Sequence, residues 1–335
     1  MDRSTRSLGT IREYGRNPVR FLVMGDTGTG TPEQYQVAAA ATSISRNLGC
    51  DFILGLGDNI YEFGVRSAYD TQFENKFEQP YRELNVPFYF VLGNHDNSSD
   101  LLEGDGRQNC NGNYQVAYHY RKDRLSNKWQ MPARYYTFRY GPVQFFALDT
   151  NPLMGVDPYW PAAYSAAQRL WLEQALTTST AAWKIVYGHH PYRSNGFHGD
   201  AGSYDQMPGE GQGVRQFLEQ SVLGKADLYL AGHDHNLMWL TPKPSHGNTQ
   251  LVICGAGGRT GPLIDPQRNP TFFQTNDSLG FAWFEIAGRT LHSIFYNGEG
   301  NQLFEHTVLQ SEPTVVDMGH QRTRSPFPVS AHLQK

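Results

Sequence analysis

Val19-Arg20-Phe21-Leu22-Val23-Met24-Gly25-Asp26-Thr27-Gly28 decides how this chain folds once Phe52-Ile53-Leu54-Gly55-Leu56-Gly57-Asp58-Asn59-Ile60-Tyr61 is set beside it. Each is an apolar, β-branched and aromatic run, too short for a helix and closed by glycine and aspartate. That is the pattern of a buried strand ending in a tight turn. The pattern recurs at Pro87 to Leu92, Val143 to Leu148, Lys184 to Tyr187, Asp227 to Ala231 and Leu251 to Cys254. Helix-like stretches lie between several of these runs: Pro32 to Leu48, opened by Pro32; Ala68 to Leu84; Ser165 to Leu176, with Ser165 read as N-cap; and Gly213 to Leu223. Strand and helix in alternation predict crossover units. Gly280 to Ile286, Leu291 to Tyr296 and Leu303 to Val308 follow one another with turn signals such as Asn297-Gly298 and no helix between them, which predicts antiparallel strands. The expected fold is α/β, a four-layer α/β/β/α sandwich of two mixed sheets flanked by helices. One domain is expected over residues 19–310, between an N-terminal arm, 1–18, and a C-terminal tail, 311–335, rich in Pro, Ser, Thr and charge.

With 335 residues, 39% hydrophobic and 18% charged, the chain has ample core to bury. Its net charge of −4, without a block of consecutive Lys or Arg, excludes a nucleic-acid scaffold as partner, though not a nucleotide as substrate. Cys50, Cys110 and Cys254 are an odd, sparse set from which no disulfide framework can be read. The first twenty residues are polar and basic, without the apolar run of a secretory signal, and no stretch elsewhere is long and apolar enough to span a bilayer. The chain reads as soluble, with no membrane partner. It would be secreted or periplasmic if a leader was trimmed and cytoplasmic otherwise, with location and oligomeric state left open.

Chemistry gathers where open α/β sheets place it, at the C-terminal ends of strands. Gly25-Asp26-Thr27-Gly28 follows the first run and Gly57-Asp58-Asn59-Ile60-Tyr61 the second. Gly93-Asn94-His95-Asp96 follows the third, Gly188-His189-His190-Pro191 the fifth and Gly232-His233-Asp234-His235 the sixth. One aspartate after a strand is ordinarily a turn or a cap, and one histidine is ordinarily a core or surface residue. Five glycine-flanked strand ends presenting carboxylate, amide, phenol and imidazole predict a metal site.

On these motifs the chain resembles the calcineurin-like metallophosphoesterases, and within them the purple, tartrate-resistant-like acid phosphatases, from about Phe21 to about Gly258. Many metallophosphoesterases open with Asp-x-His; here Gly28 stands where that histidine would be, and Tyr61 replaces it. The resemblance implies one metal held by Asp26, Tyr61 and His235, with Asp58 bridging to a second that takes Asn94, His189 and His233. Hard anionic donors including a phenolate favour Fe(III), because free tyrosine titrates near pH 10. An amide and two imidazoles suit a divalent ion, Fe(II), Zn(II) or Mn(II). The competing reading of Tyr61 is a packing aromatic beside two similar divalent ions.

The implied activity is acid phosphatase: hydrolysis of small phosphate monoesters by a metal-bound hydroxide, the two cations roughly 3.5–4 Å apart. His95 and His198 map to the two histidines the family uses to protonate the leaving group. Asp96 is expected to accept the second ring proton of His95, His190 to lie behind the ligands, and Arg193 to meet a phosphate oxygen or sit at the surface. Glu62 stands where the animal enzymes place an aromatic, so a more acidic substrate rim is expected. Residues 98–113 read as an insertion, and Met154 with a cysteine-free stretch replaces a disulfide of the animal enzymes. Gly255 to Gly261 lacks the lysine of a P-loop and reads as a turn at the rim. His119, His246, His292, His306, His320 and His332 are scattered and carry no site. Two alternatives remain: a phosphodiesterase or nucleotide-specific enzyme on the same metals, and a redox iron protein generating reactive oxygen species.

Overall fold

The computed structural model describes residues 18–97, 111–154 and 162–310. The predicted arm (apart from Pro18), the tail and most of the 98–113 stretch lie outside them. Strand β1 (Val19–Met24) leads to helix α1 (Pro32–Leu48), β2 (Phe52–Gly55), β3 (Phe88–Phe90), the helical turn α2 (Asn94–Asn97), α3 (Gly112–Tyr120) and β4 (Trp129–Gln130). Then come β5 (Tyr136–Tyr140), β6 (Val143–Ala147), α4 (Ala162–Thr178), β7 (Trp183–Tyr187), α5 (Gln212–Ser221), β8 (Leu228–Ala231), β9 (Leu237–Leu240) and β10 (Gln250–Cys254). The chain closes with β11 (Thr271–Thr275) and the meander β12 (Gly280–Ala287), β13 (Thr290–Asn297) and β14 (Gln302–Leu309).

Two seven-stranded sheets form, in the orders β14-β13-β12-β1-β2-β3-β4 and β11-β9-β10-β8-β7-β6-β5. The run β1-β2-β3-β4 is parallel, as are β6-β7-β8-β10, while the flanking strands pair antiparallel, so both sheets are mixed. Side chains alternate across each strand. Phe145 points between the sheets into a cluster with Phe21, Phe52, Trp183 and Phe284, while Phe146 points outward with Val186 and Tyr229 onto Leu172 of α4 and Leu218 of α5. Helix α1 turns Val37, Ala38, Ala41 and Ile44 onto the first sheet. The α/β/β/α sandwich is thus the fold.

Several elements differ from expectation. The stretch from Ala68 to Leu84 is a single wide turn at Glu74–Glu78, where Gln79 N–H reaches Glu74 O, set among shorter turns. Pro80 has no N–H to continue a helix, and Phe73 and Phe77 instead lock onto Trp129, ring centroids 5.3 and 5.0 Å away. Helix α4 starts at Ala162, so Ser165 lies inside it and its hydroxyl donates to the Pro152 carbonyl rather than capping. Strands β4, β5, β9 and β11 and helix α3 were not anticipated.

Candidate metal centre

The predicted ligands come from both sheets. Asp26, Asp58, Tyr61 and Asn94 follow β1, β2 and β3, and His189, His233 and His235 follow the adjacent β7 and β8, so the site straddles the seam between the sheets. Asp26, Asp58 and His233 have φ of 58°, 51° and 69°. Side-chain-bearing residues enter that region at a cost on the order of 1–3 kcal/mol each. These turns hold Asp26 and Asp58 beside His189 and bring His233 against the same histidine. One donor atom from each of Asp26, Asp58 and His189 lies within 4.8 Å of the others, all three residues buried.

The other predicted ligands border this triad. Tyr61 Oη lies 3.2 Å from Asp26 Oδ1 and 3.1 Å from His235 Nε2. His189 Nδ1–H donates to the Leu56 carbonyl at 2.9 Å, which leaves the Nε2 lone pair facing inward. It meets Asn94 Oδ1 at 2.9 Å and His233 Nδ1 at 3.1 Å. Converging lone pairs of this kind repel unless a proton or cation lies among them, so the donor set fits bound metal. Burial would raise the Asp58 carboxyl, but the neighbouring His189 and His95 outweigh it and hold it below its ordinary value. Burial, then Asp26 and Asp58, push the Tyr61 phenol well above its own, so a strong cation is required to draw off its proton.

Gly28 explains the missing histidine. A Cβ there would lie 1.9 Å from the Asn59 carbonyl oxygen, because the two turns are pressed together, with Gly28 N–H on Asp58 O and Tyr61 N–H on Gly28 O. No side chain fits. The phenol comes in from the opposite turn.

His95 and His198 both border the donors. His95 Nδ1–H donates to the Glu62 carbonyl at 2.7 Å, leaving Nε2 4.0 Å from Asp58 Oδ2. Asp96 does not orient that ring, contrary to expectation. Its carboxylate accepts from the backbone N–H groups of Asn59, Ile60 and Gly93 and from Gln115 Nε2, tying the second and third strand-end turns together. Burial, then the charge of Asp58, raises its carboxyl to about 6. The His198 ring stacks on His233 with centroids 3.9 Å apart, and Nδ1–H donates to Asp205 Oδ1 at 2.7 Å. Burial alone would depress this histidine, but Asp205, with Asp234 and Asp26, outweighs burial and raises it.

His190 sits behind the ligands. It is buried, shares a 2.7 Å hydrogen bond between Nδ1 and the Thr150 hydroxyl and lies 4.6 Å, ring to ring, from His233. Glu62 does not leave the rim bare of positive charge: Arg259 Nη2 pairs with it at 2.8 Å while the guanidinium lies 4.0 Å over the Tyr61 ring. Arg193 does not join the centre; it is buried elsewhere, with Nη2 on the Thr241 carbonyl at 3.2 Å. Gly255 to Gly261 wraps the site as a rim turn, with Gly257 N–H on Gly25 O and Gly261 N–H on His235 O. Asp205, Asp234, Arg259 and Thr150 were not anticipated as partners of the site. Asp234 stood inside Gly232-His233-Asp234-His235 and Arg259 inside Gly255 to Gly261, but neither was read as a partner; Asp234 holds the His198 backbone N–H at 2.8 Å.

The family model for calcineurin-like phosphoesterases matches residues 19–237. Tartrate-resistant acid phosphatase type 5 of Sus scrofa is 30% identical over 86% of this chain and 86% of its own, and that of Homo sapiens 30% over 89% and 93%. Purple acid phosphatase 3 of Arabidopsis thaliana is 30% identical over 85% of this chain and 76% of its own. Among solved structures, GAP50, described as the anchor in the inner membrane complex of Plasmodium, superposes with a TM-score of 0.71 at 20% identity over 89% of this chain and 90% of that one. A dimetal phosphatase of Danio rerio does so with 0.55 at 14% identity, over 88% and 99%. Among the described residues no helix is long and apolar enough to cross a membrane. Family match and identity together show that the chain belongs to the calcineurin-like phosphoesterases, alongside the tartrate-resistant and purple acid phosphatases, and is a phosphoric monoester hydrolase.

Proposed function

We propose that the chain is an acid phosphatase acting on small phosphate monoesters at a dinuclear centre of Fe(III) and a divalent ion. Asp26, Tyr61 and His235 would hold the trivalent ion, Asn94, His189 and His233 the divalent one, and Asp58 both. The observation that carries this reading is the convergence of Asp26, Asp58 and His189 within 4.8 Å, bordered by the other four donors. Two cations there supply positive charge to the phosphate oxygens and acidify water. The chain's own residues do the rest. His95 and His198 each have Nδ1 committed to an acceptor, so Nε2 is the nitrogen left to pass a proton to the leaving oxygen. Asp205 raises His198 and so favours its protonated, donating form.

The test joins metal analysis and a visible spectrum of the freshly purified protein to p-nitrophenyl phosphate turnover. Iron with a broad visible band that disappears in Tyr61→Phe, and turnover that falls at least a thousandfold in Asp58→Asn, are expected. A colourless, fully active protein would return the chain to metallophosphoesterases with two divalent ions, and an active Asp58→Asn protein would refute the site itself.

A further inference from the structure

Beyond His190 the chain leaves the metal centre, and Arg193 enters a different environment. It is only 5% exposed, and apart from the bond from Nη2 to Thr241 its guanidinium makes no hydrogen bond among the described residues. Nε and Nη1 are buried without an acceptor, and among the described residues no carboxylate lies within ion-pair distance. Arginine does not shed its proton, so the fold keeps a buried cation with unpaired N–H groups, opposed by Asp200 only through space, an arrangement that is costly unless an acceptor satisfies it.

Arg193 lines a cavity of about 420 Å³ together with Lys243, His246, Arg215, Asp200 and Glu219. Both carboxylates are already engaged. Glu219 accepts from Arg215 Nε at 2.9 Å and from the Tyr192 hydroxyl at 2.8 Å. Asp200 Oδ1 accepts from Ser194 N–H at 2.9 Å and from Asn269 Nδ2 at 2.8 Å. Lys243 is exposed, and neither it nor Arg193 has an ion pair among the described residues; Arg193, Arg215 and Lys243 together outweigh Asp200 and Glu219 by one positive charge. The buried Nδ1 of His246 also lacks a partner, while Nε2 lies 3.2 Å from the Tyr192 hydroxyl. Burial, then Arg193 and Lys243, push this imidazole below its ordinary value, in keeping with the local surplus of positive charge.

We propose that this cavity is an anion site distinct from the metal centre, taking a small oxyanion of the phosphate or carboxylate class that accepts from the unpaired Nε and Nη1 of Arg193 and meets the surplus positive charge at Lys243. It does not depend on the hydrolytic reading, because the buried Nε and Nη1 of Arg193 lack acceptors whatever the neighbouring site does. Its wall, Asp200 to Ser203, leads directly into Asp205, the partner of His198, so occupancy is also positioned to be felt at that loop.

Equilibrium dialysis of the full, Zn(II)-loaded chain against radiolabelled inorganic phosphate tests this. Two phosphates per chain are expected, one at the metals and one in the cavity. Lys243→Gln should weaken the second at least fivefold and Arg193→Gln at least tenfold, with the first unchanged. Because Lys243 is exposed, its variant folds even if loss of Arg193 proves too disruptive, and its turnover of p-nitrophenyl phosphate at vanishing phosphate should stay within twofold of the parent. Succinate distinguishes the ligand classes: displacement of the second phosphate assigns the cavity to oxyanions generally, and failure to displace it assigns the cavity to phosphates. A single phosphate per chain, bound equally by Lys243→Gln, would mean the cavity holds only water and would overturn the proposal.

Discussion

Residue by residue, a partner's visibility in the sequence depended on whether it lay on a strand end. Asp26, Asp58, Asn94, His189 and His233 stood out because glycines beside them let each strand turn sharply, and strand ends of parallel sheets converge. Asp205 was invisible because it reaches His198 from a loop whose course no local pattern encodes, and Arg259, although inside the glycine-rich rim turn, because that turn does not say where its side chain lies. Asp96 was misread because adjacency is not contact: α2 is helical, so consecutive residues project to different sides, and Asp96 points into the turns instead of at His95. Asp205→Asn tests the raised His198. Asparagine tolerates the left-handed backbone at that position, φ 54°, so geometry survives while the charge is lost. A proton donor stops working as pH rises through its pKa, so removing the anion that raises it should move the alkaline limb of the kcat profile to lower pH. A limb that stays in place or moves upward would show that His198 is not the donor. At Gly28 the expectation is steric. Gly28→Ala should cost at least about 2 kcal/mol of unfolding free energy, because its Cβ would meet the Asn59 backbone and not a movable side chain; a urea titration matching the parent would show that the two turns can part.

At the scale of elements, strands with continuous apolar runs were legible, and so was the closing meander with its turn residues. What escaped was short, or depended on contacts distant in sequence. Strand β4 is two residues, Trp129–Gln130, held by β3 through a register no sequence pattern marks. The segment before it looked helical because aromatics recur there at near-helical spacing, yet Phe73, Phe77 and Tyr118 are spaced to surround Trp129. Trp129 is completely buried, and its indole N–H donates to the Gln115 carbonyl at 3.2 Å. Trp129→Ala should therefore cost about 3–5 kcal/mol. Because Gln115 also donates to Asp96, the same variant should lose activity under conditions where most of it is still folded. Activity that tracks the folded fraction in denaturant would argue against that coupling.

For the whole molecule, seven proposed donors divided between two sheets would make metal binding a stability term. A ligand that binds the native state alone stabilises it by RT ln(1 + [L]/Kd), about 4 kcal/mol at a thousand-fold excess over Kd. Exhaustive chelation should accordingly lower the thermal midpoint by several degrees and Zn(II) should restore it, both followed by circular dichroism; a midpoint indifferent to chelation would mean that the donors do not bind metal in the folded protein. The seam location has a further result. The interlayer filling of Phe21, Phe52, Phe145 and Trp183 fixes the spacing between the two sets of proposed donors, so the core would act as a gauge for the cations. Trimming Phe145, whose ring packs on Phe21, Phe52 and Phe138, should register as faster loss of metal to a competing chelator even at temperatures where the protein remains folded.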